Sequence, residues 1–439
     1  MTDRLAKLIE QSPDPQATSL KLDRLRDDPV ARNIIDGLAP DILTGFVQII
    51  GTSKFLYHAL CRHPDSIALI GQSFDPAASI HYEINNTDAL RRYKYSELLK
   101  ITWMDLANTC RYEEVLTALS CLADNVIRIA GRLVAGGENI SADNKPLDGQ
   151  LALFGMGKLG AVELNYSSDV DLIFVCAKVA GRSGLQLQED SINHIRRFGR
   201  LLEEQTEEGF LYRVDLKLRP WGKSGPLVLS IDDTEQYYEA SKEAWERFAW
   251  LRARLVDGSD DIGSDLLQRL KPFVFHRALS ADDLQRFLQI KTKMADVRMR
   301  DGCWNVKLGE GGIRDIEFYI QMLQLVNGGH YPELRSTNTL TTLDALVQCG
   351  IMENDENQMI RDAYLFLRRL ENRLQIIDER QTHDLPDEID KRQFLARSLG
   401  FEGPSDEECL ARFETTLSTY RQTATQCFER ILVEKPQLT

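Results

Sequence analysis

A short segment, residues 151–174, limits the folds that this 439-residue chain can adopt. An apolar run, Leu151–Phe154, ends at a glycine-rich turn, and a second apolar run, Val170–Val175, begins beside two aspartates. Only nine residues, Ala161–Asp169, connect the last glycine of the turn to the acid pair. That connection can hold one short helical turn, whereas parallel strands joined by a crossover helix need a unit of about 30 residues. The segment therefore predicts two short strands without a full helix between them.

The same turn raises an alternative, because its glycines form the pattern G-x-G-x-x-G of dinucleotide-binding sites. Gly155, Gly157 and Gly160 supply this pattern directly after the first strand. A dinucleotide site needs a full helix after the glycines and an acid about twenty residues further on. Since the connection is too short for that helix, the sequence disfavours a nicotinamide or flavin site.

Length and composition indicate a multidomain globular protein. Single domains usually have about 100–200 residues, so we expect two or three. Hydrophobic residues make up 43% of the chain and charged residues 27%. No apolar run approaches the ~18 residues of a membrane span, and the polar N-terminus lacks an export signal. Eight scattered cysteines form no C-x-x-C pair, which favours reduced thiols in a cytoplasmic protein.

The net charge of −14 bears on the choice of partners. Proteins that bind nucleic acids non-specifically neutralise phosphates with many basic residues, and an acidic chain is poorly suited to this. We therefore expect neither a nucleic-acid nor a membrane partner. If the substrate is anionic, its cationic contacts must be local.

Hydrophobic periodicity predicts a mostly helical α+β protein with a small mixed sheet. Residues 1–110 are expected to form an N-terminal helical region, residues 111–270 the domain that contains the sheet and residues 271–439 a C-terminal helical bundle. Helical repeats mark four segments, Ile42–Leu60, Tyr112–Leu133, Gln188–Gln205 and Ile360–Ile377. A turn-rich loop around Gly136–Gly149 precedes the first strand, and a third strand is predicted at Phe210–Leu218, before Pro220.

Two aspartates at the start of the second strand are the first candidates for chemistry. Asp169 and Asp171 are separated by one residue. Because side chains alternate between the faces of a strand, both carboxylates lie on one face and can share a cation. Paired acids at a strand start are also common on solvated surfaces, so this motif needs support from other residues.

That support comes from Arg213–Arg219, where odd positions are charged and even positions are apolar. In an extended strand, one face would carry Asp215 among three basic residues. A strand face turned to water is the alternative interpretation. However, a carboxylate among cations is what a metal beside an anion requires, and Asp215 would complete a three-carboxylate site for Mg²⁺ or Mn²⁺.

Glycines and polar residues around these acids are candidate contacts for phosphate. The turn Gly222–Gly225 can bring backbone N–H groups and a lysine against phosphate oxygens. The candidate nucleotide- or phosphate-binding residues near the acids are Gly155, Gly157, Lys158, Ser168, Lys217, Arg219, Lys223 and Ser224. Three acids with a glycine-rich turn and local cations fit two-metal phosphoryl or nucleotidyl transfer.

Four longer motifs follow one another between Leu151 and about Leu325: GMGKLGAVELNYSSDVDLIF, GFLYRVDLKLRPWGKSGPLVLS, AWERFAWLRARLV and VKLGEGGIRDIEFYIQMLQL. In order and spacing they resemble the bifunctional glutamine synthetase adenylyltransferase/adenylyl-removing enzymes. The resemblance implies a polymerase-β-like nucleotidyltransferase domain flanked by helices. It also places Arg314 and Glu317 near the nucleotide, although an ion pair that braces the bundle is an equally good interpretation. For Trp245 and Glu246 we expect a packing role.

Members of this family have two nucleotidyltransferase halves, and this chain carries one set of motifs. Its versions, RVDLKLRPWGKSGPL and GGIRDIEF, resemble the N-terminal, adenylyl-removing half. The adenylylating half reads closer to EVDARLRPSG and GGITDIEF. The implied reaction is phosphorolysis of an adenylylated tyrosine on glutamine synthetase, with inorganic phosphate as co-substrate and ADP as product. The implied partners are adenylylated glutamine synthetase, a PII-type signal protein and the adenylylating half of a longer chain.

The difficult step of this reaction is the departure of tyrosine, whose phenol has a pKa of ~10. We expect metals held by the three aspartates to stabilise the leaving oxygen, with Asp215 acting as a ligand rather than as a general base. Cations would offset the repulsion between phosphate and phosphodiester, and we assign this role to Lys158, Lys217, Arg219 and Lys223. Two alternatives remain, adenylylation of the synthetase from ATP and a non-catalytic nucleotide-binding docking module.

Overall fold

A computed structural model describes residues 2–76, 84–136, 149–177, 181–241, 243–276 and 303–433. Most of the turn-rich loop, the predicted helical residues 277–302 and the C-terminal residues 434–439 lie outside these ranges. The described helices, numbered in chain order, are α1 (Thr2–Glu10), α2 (Pro15–Arg26), α3 (Pro29–Asp36), α4 (Pro40–Thr52), α5 (Lys54–Arg62), α6 (Thr87–Leu106), α7 (Tyr112–Ala135), α8 (Gly157–Gly160), α9 (Gly181–Glu203), α10 (Ile231–Ala240), α11 (Ala244–Leu251), α12 (Asp260–Lys271), α13 (Ile313–Asn327), α14 (Thr339–Gln348), α15 (Asn354–Ile376), α16 (Ile389–Ser398) and α17 (Asp406–Val433).

One small mixed sheet contains the five described strands, β1 (Leu151–Gly155), β2 (Val170–Cys176), β3 (Val214–Asp215), β4 (Val228–Ser230) and β5 (Arg254–Gly258). β1 pairs antiparallel with β2 on one side and with β5 on the other. β3 and β4 both run parallel to β2, beside its beginning and its end respectively. The mixed sheet and the predominance of helix confirm the predicted α+β class.

The sheet lies between two hydrophobic cores, because alternate residues of its strands face opposite sides. On β2, Leu172 and Phe174 belong to the core that contains the helices α1–α7 and α9. Ile173 and Val175 belong to the core built by α10–α17. The central strands are therefore buried on both faces, which explains why their sequences are continuous apolar runs.

Most predicted elements are found close to their expected positions. β1 and β2 extend one residue beyond the predicted strands, and a short helical turn between them, α8, lies in the glycine turn rather than in the connection Ala161–Asp169 where it was expected. The long C-terminal helix is α15. The segment predicted as one helix, Ile42–Leu60, is two helices instead, because Ser53 is extended and its side chain caps the second one. No described helix is long and apolar enough to cross a membrane.

The third predicted strand, Phe210–Leu218, is wrong over most of its length, since only Val214–Asp215 pairs as β3. The chain turns immediately afterwards because a carboxylate oxygen of Asp215 accepts from the backbone N–H of Lys217 at 2.8 Å. A second turn follows, in which the N–H of Arg219 donates to the carbonyl of Leu216. The alternation of charged and apolar residues beyond Asp215 is therefore not that of a strand.

Candidate active site

A cavity of about 590 Å³ lies between the sheet and the C-terminal helices. Three carboxylates from adjacent strands line it, namely those of Asp169, Asp171 and Asp215. Asp171 and Asp215 are directly paired neighbours in the parallel register of β2 and β3. Asp169 precedes β2 by one residue, so the two-residue spacing brings it to the same side as Asp171. The three predicted acids therefore converge on one cavity.

Asp171 lies in a buried environment close to the other two acids. Burial, together with the nearby charges of Asp215 and Asp169, raises its pKa to about 6. The cations Lys307 and Arg314 oppose this effect. Negative charge is therefore crowded around Asp171, and a cation bound beside it would relieve the repulsion.

The other two acids are held in ion pairs. Asp169 Oδ1 lies 2.6 Å from Nε of Arg213, whose guanidinium also donates to the backbone carbonyl of Ser167 at 2.6 Å. Asp215 contacts the ammonium group of Lys217, which is 59% exposed. Arg213 and Lys217 therefore neutralise two of the three carboxylates at the cavity.

Carboxylate oxygens are the preferred ligands of Mg²⁺ and common ligands of Mn²⁺, so the donor set suits such an ion. In the described parts of the chain, however, no three acidic, histidine or cysteine side chains are grouped closely enough to hold a metal. Asp169 and Asp215 are turned towards Arg213 and Lys217 instead. The donors fit a divalent cation provided that it displaces these two ion pairs.

The glycine turn before β2 allows the acids to approach the backbone closely. Gly157 has φ of +55°, and a Cβ atom there would lie 2.8 Å from Oδ2 of Asp171. At Gly160 a Cβ atom would lie 1.7 Å from the carbonyl oxygen of Arg252. The G-x-G-x-x-G pattern thus has a packing explanation, because side chains at these positions would collide with the acid site and with the adjoining loop.

Lys158 lines the cavity, but its ammonium group is bonded to α15. Its Nζ donates to both carboxylate oxygens of Glu371 at 2.8 Å. Burial lowers the pKa of Lys158 to about 7, in spite of the opposing charge of Glu371. Nδ1 of His383 lies 2.8 Å from the same carboxylate. Burial disfavours ionisation of Glu371, yet Lys158 and His383 outweigh it and hold the pKa of Glu371 well below its usual value.

Arg314 and Glu317 lie on α13 and both line the cavity. Arg314 donates to Glu317 at 3.0 Å, and the buried Arg252 donates to the other oxygen at 3.2 Å. Burial opposes ionisation of Glu317, but Arg252 and Arg314 lower its pKa to about 2. The two interpretations of this pair are therefore compatible, since it braces α13 against the chain next to β5 and also faces the cavity.

The connector that carries the acids is fixed by α15. Along residues 163–167, backbone and side-chain groups bond to successive turns of this helix. Arg368 contacts the carbonyl of Glu163 and the amide oxygen of Asn165, both at 2.5 Å. The N–H of Ser167 donates to Gln375 at 3.0 Å. These bonds order a connector that has no strand or helix of its own.

Part of the cavity wall is apolar. The apolar and aromatic side chains that form it are Leu218, Trp245, Phe248, Ala249 and Phe318. The rings of Phe248 and Phe318 pack edge to face with their centroids 6.0 Å apart. An apolar wall that faces polar groups across a cavity suits a flat heterocyclic base. Trp245 thus lines the cavity in addition to packing, whereas the buried Glu246 bonds to Tyr237 and Ser241.

The predicted phosphate contacts divide into two groups. Gly157, Lys158, Ser168, Arg314 and Glu317 line the cavity, with Lys217 bound to one of its acids. The remaining predicted contacts are not among its lining residues, and they are Gly155, Arg219, Lys223 and Ser224. Gly155 belongs to the buried β1, and the guanidinium of Arg219 bonds to carbonyl groups of its own loop, including that of Gly225 at 3.0 Å.

The sequence interpretation did not include several polar residues of the cavity, namely Arg252, Lys307, Gln321, Gln375, Gln381 and His383. Lys307 lies in the motif VKLGEGG, and its place in that motif could have predicted it as a site residue. Three buried nitrogen atoms of the cavity lining, Nε of Arg314, Nε2 of Gln375 and Nδ1 of His383, have no hydrogen-bond partner within the described ranges. Unpaired buried donors are rare, and a polar ligand would satisfy them.

Comparison with known proteins identifies the family. Residues 43–269, just over half of the chain, match the family described as glutamate-ammonia ligase adenylyltransferase. The chain belongs to this family. Residues 288–432 match the family described as GlnD PII-uridylyltransferase. The predicted resemblance is confirmed, and the α+β architecture is that of a nucleotidyltransferase-type fold.

Three relatives carry the name bifunctional glutamine synthetase adenylyltransferase/adenylyl-removing enzyme. A protein of Stenotrophomonas maltophilia strain K279a is 36% identical over 385 residues, which cover 85% of this chain and 41% of the relative. One from Shewanella frigidimarina is 36% identical, covering 82% and 40% respectively. One from Methylococcus capsulatus is 37% identical, covering 79% and 37%. The chain therefore spans about two fifths of the length of these curated relatives.

Proposed function

We propose that this chain removes AMP from an adenylylated tyrosine of glutamine synthetase by phosphorolysis. The observation that carries the proposal is the cavity in which three carboxylates converge among basic side chains and beside an aromatic wall. The family and the names of the relatives support the class of reaction and the target. The aromatic wall suits the adenine base, and the polar side suits its phosphates.

The proposed reaction joins two anions. An oxygen of hydrogen phosphate attacks the α-phosphorus of the adenylyl group, and the bond from phosphorus to the tyrosine oxygen breaks. The product ADP contains the new phosphate. The proton of hydrogen phosphate is transferred to the departing tyrosine oxygen. Atoms and charge therefore balance without a further reactant. The protein must hold two anions together and must stabilise a phenolate as it departs.

Asp169, Asp171 and Asp215 are the residues that would hold Mg²⁺ or Mn²⁺. Such an ion, when bound, supplies positive charge for the α-phosphoryl oxygens and for the departing phenolate. Arg213 and Lys217 neutralise the same carboxylates in its place and lie beside the cavity. Once displaced from the acids, their cationic groups become available to phosphate oxygens.

The direction of the reaction rests on residue 314. The adenylylating version of this motif, GGITDIEF, has threonine where this chain has Arg314. Arg314 faces the cavity, has its Nε unpaired within the described ranges, and stacks over Phe318 at 5.0 Å. An additional cation at this position offsets the repulsion between inorganic phosphate and the phosphodiester, and therefore favours phosphorolysis. We propose ADP as the product on this basis.

The partners follow from the same proposal. Adenylylated glutamine synthetase is the proposed substrate, and the adenylylating half is proposed to belong to a longer polypeptide. Control by a PII-type signal protein is supported by the match of residues 288–432 to a family named for action on PII.

The test is to incubate the chain with adenylylated glutamine synthetase and Mg²⁺, with and without phosphate, and to identify the released nucleotide. ADP that appears only with phosphate supports the proposal. Incorporation of AMP from ATP into the unmodified synthetase, without ADP release, would favour adenylylation by the same site. Binding of ADP without turnover in either direction would leave the docking module as the function.

A further inference from the structure

A second cavity of about 450 Å³ adjoins the active-site cavity. The two cavities share three lining residues, Lys307, Gln381 and His383. Among the described residues, the second cavity is otherwise lined by Cys303, Leu308, Thr382 and Asp384, without the aromatic wall of the first. The junction of the two cavities is therefore a polar place beside the acids where a small anion can meet the nucleotide.

Lys307 is the cation at this junction that is free to bind a ligand. Lys158 and Arg252 are each paired with buried glutamates. Among the residues that the structure describes, the ammonium group of Lys307 has no ion-pair or hydrogen-bond partner. Its charge nevertheless acts on both Asp171 and His383, so it lies between the acid site and the second cavity.

His383 lines both cavities. Its Nδ1 lies 2.8 Å from the carboxylate of Glu371 without hydrogen-bonding geometry, and a proton on Nδ1 avoids the repulsion between a bare ring nitrogen and the carboxylate oxygen. Burial lowers the pKa of His383 despite Glu371, with the positive charges of Lys158 and Lys307 acting in the same direction as burial. The ring is therefore neutral near pH 7, and Nε2 is left as a hydrogen-bond acceptor at the junction.

We propose that Lys307 and His383 form the subsite for the attacking hydrogen phosphate, an assignment that rests on the function proposed above. Lys307 binds the phosphate oxygens through its charge. Nε2 of His383 accepts a hydrogen bond from the P–OH group, and Glu371 fixes the ring for this purpose. The anion then lies next to the acids, with its unprotonated oxygens available for attack.

This arrangement selects by protonation state. Hydrogen phosphate carries a proton near neutral pH, whereas sulfate is fully ionised. A neutral imidazole can accept a hydrogen bond from hydrogen phosphate. Sulfate has no proton to donate, so the imidazole lone pair would face only oxygen lone pairs. A buried acceptor that is left unpaired weakens binding of the anion that fails to satisfy it. The subsite therefore discriminates between two anions of equal charge and similar shape.

The first test is the phosphate dependence of ADP release from adenylylated glutamine synthetase. In K307Q we expect the KM for phosphate to rise at least tenfold, while the KM for the adenylylated protein changes less than twofold. K391Q is the matched control, because Lys391 is exposed and pairs with the exposed Glu388. An unchanged KM for phosphate in K307Q, in a variant with wild-type circular dichroism, would overturn the assignment.

The second test is inhibition by sulfate in wild type and in H383N. Asparagine can still donate to Glu371, but it lacks the acceptor at the position of Nε2. We expect H383N to bind phosphate more weakly and to lose at least fivefold of the preference for phosphate over sulfate. A preference equal to that of wild type contradicts the role of His383.

Binding of radiolabelled phosphate at equilibrium, without any nucleotide, separates this proposal from the proposed function. If phosphate binds to wild type and weakly to K307Q, but no ADP is ever released, the subsite stands and the proposed reaction fails. If ADP is released and both variants bind phosphate like wild type, the reaction stands and the subsite fails.

Discussion

Gly157 limits where Asp171 can lie more directly than any other residue described above. In G157A the new methyl group would meet Oδ2 of Asp171 at 2.8 Å, and the backbone would retain a φ of +55° that alanine disfavours. We expect about 1 kcal/mol of destabilisation and at least a tenfold loss of kcat for ADP release. Urea unfolding and the nucleotide assay measure the two effects.

Gly136 offers a matched control for this substitution. It ends α7 with φ of +84°, and a Cβ atom there would meet nothing within 4 Å. G136A is therefore expected to lose a similar amount of stability and to keep wild-type activity. Equal activity of the two variants would show that the contact with Asp171 does not matter.

Asp171 provides the second prediction at this scale. In D171N we expect ADP release to fall at least a thousandfold while the fold is kept, since the amide cannot replace a carboxylate ligand. Mg²⁺ should raise the Tm of wild type, because a ligand that binds only the folded state stabilises it, and should leave the Tm of D171N unchanged. D390N, at an exposed position of α16, is the control. Retained turnover in D171N would refute the metal-site assignment.

The acids could be predicted from the sequence because their relation is local. Strand alternation places Asp169 and Asp171, which are two residues apart, on one face. Asp215 was recognised as the acid within a second segment of alternating charged and apolar residues. Their neighbours could not be predicted in the same way. The binding of Lys158 to Glu371 joins residues 213 positions apart, and nothing in the local sequence selects that partner.

At the scale of elements, local hydrogen bonding decided where sequence periodicity was misleading. The alternation in Arg213–Arg219 predicted a long strand. The carboxylate of Asp215 instead accepts a hydrogen bond from the backbone N–H of Lys217, and the chain turns there. Aspartate favours such turns because its side chain competes with strand partners for backbone N–H groups. The short β3 still brings Asp215 beside Asp171, and Arg219 closes the loop that follows.

The contact of α8 with α15 yields a prediction about stability. E371Q removes the negative charge that Lys158, His383 and Arg368 share in a buried environment. Breaking a buried ion pair leaves a charge without compensation, and we expect a loss of about 3–5 kcal/mol in the free energy of unfolding. Urea denaturation of the whole chain measures it.

The matched comparison is E388Q, since Glu388 forms an exposed pair with Lys391. Exposed pairs contribute about 0–1 kcal/mol, so this variant should unfold close to wild type. If the two glutamine variants were equally stable, the pair between Lys158 and Glu371 would not be an anchor for α8.

At the scale of the whole molecule, the cavity combines distant parts of the chain. The sheet contributes the acids, whereas α13 and the segment around residue 383 contribute the opposite side. Periodicity identifies which helices are amphipathic, but not which helix covers which face of the sheet. That choice depends on long-range packing of two cores, and it explains why His383 was absent from the residues expected at the site.

The pH dependence of global stability should reflect His194 on α9. Burial, aided by Arg197, lowers its pKa to about 4, below the usual value of 6.5. Between these pH values the unfolded chain binds the proton more readily, so stability falls as the pH falls from 6.5 to 4. Allowing for solvent screening of this partly exposed ring, we expect about 1 kcal/mol from this residue.

H194Q should flatten this part of the stability curve without changing stability above pH 7. Urea unfolding of both proteins at pH 7.5, 6 and 5 provides the comparison. A wild-type slope in the variant would assign the acid sensitivity to other groups.

The anchoring of residues 163–167 on α15 has a consequence for biosynthesis. Domains fold from the N-terminus as the ribosome releases them, so the strands with their aspartates emerge well before residue 354. Until α15 has been made, the backbone N–H groups of Tyr166 and Ser167 lack the side-chain acceptors that this helix supplies. A product whose translation stops early would carry every acid of the centre yet remain inert, because competence arrives only with this late helix.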